Sequence, residues 1–233
     1  MKKHIPNFIT CLNMLTGVVG IAVVMTSGDL WWALIFVLVA CFFDFLDGLV
    51  ARALNLQSEF GKQLDSLADL ISFGALPAFT LLISIDSFEF KEIPDFRILS
   101  LWSYAGLLIL PFSALRLAKF NLATDQSDEF KGLPTPANAL MITAIAFVRP
   151  DFMNVGAWLI LIVLSCFLLV SNIPMISLKF KSVGWRGNEL RYSLILIEVA
   201  GLAIFQLSFF PFVIPLYIAI SVVGNSLRKA VVS

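Results

Sequence analysis

The sequence predicts an all-α integral membrane protein, a helical bundle that crosses the bilayer several times. Two observations indicate this class. Of the 233 residues, 59% are hydrophobic and only 14% are charged, and the mean hydropathy is +0.93. The apolar residues also fall in runs of about 20, the length that a helix needs to cross the hydrocarbon core. Such a composition excludes an ordinary soluble domain.

About eight runs of this kind are expected to span the membrane, and they lie at 7–26, 30–54, 63–86, 98–121, 135–149, 155–177, 192–209 and 212–228. The last two are separated by little more than Pro211, which favours a two-helix hairpin. Asn7, Thr10 and Asn13 interrupt the first run and no small-residue cleavage site follows it, so we expect a retained helix rather than a secretory signal. Without a linker or an internal repeat, residues 1–233 are expected to form a single domain.

The basic residues predict the orientation of the bundle. Of the 16 Lys and Arg residues, all but Lys91, Arg97 and Arg149 map to one side of the predicted spans. The positive-inside rule then places both termini, and the loop between the second and third spans, in the cytosol. The net charge is zero, which gives no field that favours nucleic acid. We therefore expect a multi-pass protein of the cell membrane.

Four aspartates lie in or beside the second and third predicted spans, where an unpaired carboxylate is costly. Asp44 and Asp47 are three residues apart, and Asp65 and Asp69 are four apart, so each pair projects from one face of its helix. In an antiparallel hairpin with Gly61 near the turn, the four carboxylates would meet in one cytosolic pocket. Either their protonation is shifted or a cation neutralises them. An all-oxygen cluster suits two divalent cations, Mg²⁺ or Mn²⁺.

Residues beside the aspartates suit a phosphate-bearing ligand. Gly48 permits a close approach of the backbone, and Arg52, one turn further on, offers a fork of donors for phosphate oxygens. Ser58 adds a hydroxyl near the mouth of the hairpin. Metals, an arginine and a carboxylate that activates an incoming hydroxyl together indicate phosphoryl transfer. The alternative is a cation or proton path in a transporter, a common reason for intramembrane acids.

The hairpin resembles a known family signature, Asp44-x2-Asp47-Gly48-x2-Ala51-Arg52-x8-Gly61-x3-Asp65-x3-Asp69. This pattern is similar, without a departure, to that of the CDP-alcohol phosphotransferases, membrane enzymes of phospholipid synthesis. The resemblance implies that Asp44, Asp47 and Asp65 bind two divalent ions. It also implies that Asp69 contacts one of these ions and acts as the general base.

The same resemblance implies how the nucleotide lipid, CDP-diacylglycerol, is held. Gly48, Arg52 and Ser58 are expected to contact the CDP moiety. The first span also helps to hold the nucleotide in this family, and Asn7 and Thr10 occupy suitable positions. A homodimer is a further expectation that comes from the family.

Three other stretches point to the acceptor alcohol: RLAKFN (116–121), KGLPTPANA (131–139) and VSNIPMISLKF (170–180). They resemble the CDP-diacylglycerol–serine O-phosphatidyltransferases of that family, which implies L-serine as the acceptor. Glycerol 3-phosphate or an inositol derivative remains the alternative acceptor within the same chemistry.

A serine acceptor needs a cation for its carboxylate, and three basic residues on the predicted cytosolic face are candidates: Arg116, Lys119 and Lys131. Asn121 or Asn138 is expected to help with its orientation. Pro134 and Pro136 are expected to end one span and begin the next, with Thr135 as the helix cap.

Overall fold

A computed structural model of the protein describes residues 4–89, 101–122, 130–150, 153–175, 184 and 188–232. At 87–89, 130, 131, 189, 190 and 225–232 the description covers the backbone alone. Within this part of the chain the regular elements are helices, apart from one pair of two-residue strands. The predicted all-α class is confirmed.

The helices in chain order are α1 (Ile5–Ser27), α2 (Leu30–Ala53), α3 (Glu59–Asp69), α4 (Leu76–Glu89), α5 (Ile109–Leu122), α6 (Thr135–Val148), α7 (Val155–Val170), α8 (Glu189–Phe205) and α9 (Phe210–Val232). A π-helical segment, Leu70–Ala75, joins α3 to α4. Short 3-10 turns, Ser103–Leu108 and Gln206–Phe209, precede α5 and α9. Strand β1 (Phe130–Lys131) pairs antiparallel with β2 (Pro174–Met175).

The first two helices form a tight hairpin, and the local sequence explains why. Pro6 lies in the first turn of α1, where its missing N–H costs no helical hydrogen bond. Gly28 ends α1 with φ of 66°, a left-handed conformation that glycine adopts without strain. Asp29 then caps α2, since its side chain accepts a hydrogen bond of 3.0 Å from the N–H of Trp31.

The helix formed by α3, the π segment and α4 lies at the centre of the bundle. Of its most apolar window, 78% is buried, whereas the corresponding windows of the other long helices are 22–28% buried. The buried core around it includes Phe73, Leu76, Leu81 and Ile85. Helices α1, α2, α5 and α6 pack against this central helix. The outward faces of the long helices carry large apolar side chains.

Five helical stretches of the described residues are long and apolar enough to cross a bilayer: Ile5–Ser27, Leu30–Ala53, Glu59–Asp86, Ser103–Leu122 and Arg191–Gly224. Thr135–Val148 and Val155–Val170 are shorter apolar helices. The expected count of about eight spans and the cytosolic location of both termini stay predictions.

Several predicted boundaries differ from the structure. The span expected at 155–177 is helical only to Val170, because Pro174 lies in β2 and has no N–H to continue a helix. The helix break expected at Pro211 lies instead at Gln206, whose φ is 52°. Pro211 is the second residue of α9, where proline fits the first turn. Residues 98–100 of the predicted fourth span lie outside the described residues.

Candidate active site

Three aspartates converge where α2 approaches α3. One carboxylate oxygen from each of Asp44, Asp47 and Asp65 lies within 4.8 Å of the other two. Asp69, one turn beyond Asp65, lies within electrostatic reach of all three. The loop between Ala53 and Glu59 turns the chain so that the two pairs face each other. The structure thus brings together the four carboxylates that the sequence singled out.

The cluster fits a hard divalent cation. Asp47 is 6% exposed, and Oδ1 of Asp65 is buried and accepts no hydrogen bond from the described residues. A buried carboxylate oxygen without a partner carries a large desolvation cost, which a bound cation would offset. All the candidate ligand atoms are carboxylate oxygens, the donor type that Mg²⁺ and Mn²⁺ prefer.

Helix α1 supports the cluster through two buried polar side chains. The Thr10 hydroxyl donates a hydrogen bond of 2.6 Å to Oδ2 of Asp47, and it lies 3.1 Å from the carbonyl of Pro6. The amide of Asn13 donates to Oδ1 of Asp69 across 3.4 Å. Both α1 side chains are almost fully buried, at 3% and 0% exposed. They therefore orient one carboxylate on α2 and one on α3.

Sequence reasoning missed the contact between Asn13 and Asp69. It treated Asn13 only as a polar interruption of an apolar run. The available signal was its spacing, because Asn7, Thr10 and Asn13 follow one another at intervals of three residues and so share one helix face.

The π segment begins directly after Asp69 and packs against the backbone of α1. Ser72 donates a hydrogen bond of 2.9 Å to the carbonyl of Asn13. A Cβ atom on Gly17 would lie 2.8 Å from Cα of Ser72, so only glycine allows this approach. Single π turns inside α-helices often lie at functional sites. Here the contact fixes the helix that carries Asp69 against α1.

The residues expected to contact the nucleotide lie at the hairpin end of α1, α2 and α3. The Arg52 side chain is exposed and folds back over Gly48, where Nη1 would lie 3.2 Å from an added Cβ. The Ser58 hydroxyl caps α3 by accepting a hydrogen bond of 3.0 Å from the N–H of Gly61. A Cβ on Gly61 would also lie 3.3 Å from Oδ1 of Asn7, so these three residues meet.

Of the three basic residues expected to bind the acceptor, Arg116 and Lys119 have described side chains, and that of Arg116 interacts electrostatically with an aspartate. Arg116 is 8% exposed and lies within electrostatic reach of Asp69. Lys119 is exposed and donates a hydrogen bond of 3.0 Å to the carbonyl of Val170, at the end of α7. The side chain of Lys131 lies outside the described part of the chain.

Comparisons with known proteins agree with this geometry. Residues 3–171 match the family model described as CDP-alcohol phosphatidyltransferase. The chain is 34% identical over 172 residues to the archaetidylserine synthase of Methanothermobacter thermautotrophicus. The aligned region covers 72% of this chain and 68% of that protein.

Two bacterial proteins named CDP-diacylglycerol–serine O-phosphatidyltransferase are also similar. The Bacillus subtilis protein is 31% identical over 155 residues, which cover 66% of this chain and 82% of that protein. The Helicobacter pylori protein is 33% identical over 187 residues, which cover 77% and 74%. Since the family match extends over more than half of the sequence and includes the aspartate cluster, the chain belongs to the CDP-alcohol phosphatidyltransferase family.

Proposed function

We propose that this protein transfers the phosphatidyl group of CDP-diacylglycerol to L-serine, giving phosphatidylserine and CMP. The observation that carries the proposal is the convergence of Asp44, Asp47 and Asp65, with Asp69 alongside. Family membership supports the reaction class. The names of the bacterial relatives favour serine among the possible acceptors.

In the proposed reaction, the carboxylate of Asp69 accepts the proton of the serine hydroxyl. The serine oxygen forms a new bond to the β-phosphorus of CDP-diacylglycerol, while the bond from that phosphorus to the bridging oxygen breaks and CMP leaves. The hydrogen bond from Asn13 holds one oxygen of Asp69 and leaves the other oxygen for the incoming hydroxyl.

The four aspartates are the residues that would hold two divalent cations, with Asp44, Asp47 and Asp65 as the main ligands and Asp69 touching one ion. Such cations, when bound, neutralise the pyrophosphate charge and stabilise the leaving CMP. Thr10 keeps the Asp47 carboxylate in position through its hydrogen bond of 2.6 Å.

The nucleotide end of the substrate is proposed to bind at the mouth of the hairpin. The guanidinium of Arg52 is exposed and lies close to Gly48. There it can donate two charge-assisted hydrogen bonds to phosphate oxygens. The Ser58 hydroxyl accepts one hydrogen bond from the backbone and still has a proton to donate. Asn7 lies beside it, and Thr10 lies one turn along α1.

Arg116 is the proposed partner of the serine carboxylate. It is buried and lies within electrostatic reach of Asp69, so a carboxylate bound to it would sit near the general base. Lys119 is a weaker candidate because its ammonium is bonded to the end of α7. Lys131 stays a prediction from the sequence.

The chemistry also suits a site at the membrane boundary. The acyl chains of both the donor and the product have to remain in lipid, whereas serine and CMP are water-soluble. We propose that the hairpin opens to the cytosol of a multi-pass protein in the cell membrane, with both termini on that side. A homodimer remains an expectation from the family.

The test uses the purified protein in detergent micelles with CDP-diacylglycerol and Mg²⁺ or Mn²⁺. CMP release is followed with L-serine, glycerol 3-phosphate or myo-inositol offered separately. The proposal predicts release with serine alone, abolished by a chelator. Release with another alcohol would overturn the serine assignment and keep the chemistry of the hairpin. If folded protein releases no CMP with any acceptor, the result would favour the alternative function, a cation or proton path in a transporter.

A further inference from the structure

Within the part of the chain that the structure describes, a second group of polar side chains is buried in the bundle without partners. Thr135 and Asn138 of α6 are 1% and 0% exposed, and Ser113 of α5 is 0% exposed. The two hydroxyls, and both the oxygen and the nitrogen of the Asn138 amide, have no hydrogen-bond partner among the described residues. Nε of Arg116 is also buried and has no hydrogen-bond partner among the described residues. A buried polar group that nothing binds is costly, so this arrangement points to a ligand.

The unpartnered state of Thr135 is specific to its position. The sequence predicted that this residue caps α6, but Pro134 occupies the cap position and no side chain caps the helix. Thr143, eight residues further along the same helix, is equally buried and donates a hydrogen bond of 2.8 Å to the carbonyl of Ala139. Thr135 therefore has a hydroxyl that its own helix does not use.

The position of Thr135 along the axis of the bundle follows from a contact at the opposite end of α6. The ring of Phe147 lies 4.8 Å from that of Trp31, at the start of α2. Helices α2 and α6 pack against each other, and each residue advances by about 1.5 Å. Counting twelve residues back along α6 and twelve forward along the antiparallel α2 places Thr135 level with Phe43, the residue before Asp44.

A second contact gives the same position of Thr135 along the axis of the bundle. Nη2 of Arg149 lies 3.5 Å from the carbonyl of Ser84 in α4. Counting back along these two helices places Thr135 level with Leu70, the residue after Asp69. Helix α6 also contacts the π segment that begins there. Both contacts therefore put Thr135 at the level of the aspartate cluster.

Asn138 lies one turn farther from the hairpin, by about 4.5 Å along the helix axis. Arg116 on α5 connects the level of Asn138 with the active site. It interacts electrostatically with Asp69 and with the phenol of Tyr217 on α9. Helix α9 in turn packs along α6. The π segment contacts both α5 and α6, and these two helices also contact each other.

We propose that Thr135 and Asn138, together with Arg116, form a subsite for the α-amino and α-carboxyl groups of the acceptor, and that Asn138 is its specificity-determining residue. This inference rests on the proposed function. The Asn138 amide carries both an acceptor and a donor, so Oδ1 binds the ammonium while Nδ2 and Arg116 bind the carboxylate. A zwitterion matches this neutral amide beside a single cation, whereas a phosphate ester would need more donors.

The size of serine suits this arrangement. Three covalent bonds separate its hydroxyl oxygen from its amino nitrogen, a reach of about 3–4 Å. A hydrogen bond adds about 2.8 Å. A serine whose hydroxyl lies at Asp69 therefore extends its amino and carboxyl groups about one helical turn away, which is the level of Asn138.

The experiment compares Asn138→Leu, Asn138→Asp and Thr135→Val with Thr143→Val, the matched control in the same helix. KM for L-serine and for CDP-diacylglycerol are measured separately, together with the Tm shift that L-serine produces and the affinity for Mn²⁺. We expect KM for serine to rise at least about tenfold, which corresponds to one lost hydrogen bond to a charged group. KM for CDP-diacylglycerol and the Mn²⁺ affinity should not change, and Thr135→Ser should restore the wild-type KM.

Acceptor analogues test the assigned contacts. Ethanolamine lacks the carboxylate and 3-hydroxypropanoate lacks the ammonium, so wild-type protein should discriminate strongly against both. Asn138→Leu should lose much of the discrimination against 3-hydroxypropanoate, because the ammonium no longer has its acceptor. If the α6 variants keep the wild-type KM and Tm shift for serine, the subsite is wrong although the proposed function stands. If wild-type protein does not use serine, the proposed function fails first.

Discussion

Thr10 on α1 donates a hydrogen bond of 2.6 Å to the carboxylate of Asp47 on α2, and both side chains are more than nine-tenths buried. The first helix is therefore part of the site rather than only a membrane anchor. Together with Asn13, which reaches Asp69, it gives each half of the aspartate hairpin one fixed donor.

Replacing Thr10 with valine should weaken the metal site. The variant keeps the size of the side chain and removes the hydroxyl that donates a hydrogen bond to the Asp47 carboxylate. A hydrogen bond to a charged group contributes about 1.5–3 kcal/mol, so we expect Mn²⁺ affinity to fall about tenfold or more. Isothermal titration calorimetry measures the affinity.

Thr16→Val is the matched control for this substitution. The Thr16 hydroxyl donates to the carbonyl of Leu12 within α1, at 2.7 Å. Its loss should leave Mn²⁺ affinity at the wild-type level. An equal fall in both variants would show that the effect comes from α1 stability and not from the contact with Asp47.

Substituting Gly17 with alanine should destabilise the contact between α1 and the π segment. The added Cβ would lie 2.6 Å from Oγ and 2.8 Å from Cα of Ser72, and the backbone atom cannot rotate away. Overpacking of this kind costs about 1–3 kcal/mol. Thermal unfolding in detergent should therefore show a lower Tm than wild type.

Gly184→Ala serves as the reference, since no atom of the described residues lies within 4 Å of the Cβ it would gain. Its Tm should equal that of the wild type. A Gly17→Ala protein of unchanged Tm would mean that α1 and the helix carrying Asp69 are less closely packed than the structure shows.

Removing the guanidinium of Arg52 should reduce the affinity for the nucleotide lipid. In the Arg52→Ala variant the phosphate oxygens lose a charge-assisted donor, which predicts a fall of about tenfold in CDP-diacylglycerol affinity. Mn²⁺ binding should persist, because Arg52 is not among the candidate metal ligands. Equilibrium binding with a fluorescent CDP-diacylglycerol measures the effect.

Lys62→Ala is the control for Arg52. Lys62 is an exposed cation of the same hairpin, and its ammonium lies 3.3 Å from the carbonyl of Asn121. If both substitutions lower the affinity equally, the effect is one of general positive charge and the proposed phosphate contact is incorrect.

The spacing of the aspartates was sufficient to predict their convergence. Residues three and four apart share a helix face, and the short loop between Ala53 and Glu59 turns the chain so that the two pairs face each other. Long apolar runs likewise predicted α1 and α2 to within a few residues. These features depend on local periodicity, which a sequence displays directly.

Contacts between distant parts of the chain were harder to predict. The π segment and the approach of Gly17 to Ser72 depend on how α1 packs against a helix more than 40 residues away in sequence. The unpartnered state of Thr135 was equally hidden, because a threonine after Pro134 has the local pattern of a cap. Only the packing of α6 shows that its hydroxyl has no partner among the described residues.

The most direct test of the account separates the roles of two aspartates. Mn²⁺ binding and CMP release are measured in parallel for wild type, Asp44→Asn and Asp69→Asn. We predict that Asp44→Asn loses most of its Mn²⁺ affinity, because Asp44 is a candidate ligand of the cluster. Asp69→Asn should bind Mn²⁺ and CDP-diacylglycerol nearly as wild type does, while CMP release falls about 10²–10⁴-fold with the loss of the general base. Equal loss of Mn²⁺ binding in the two variants would contradict the assignment of Asp69 as the base beside a separate metal site.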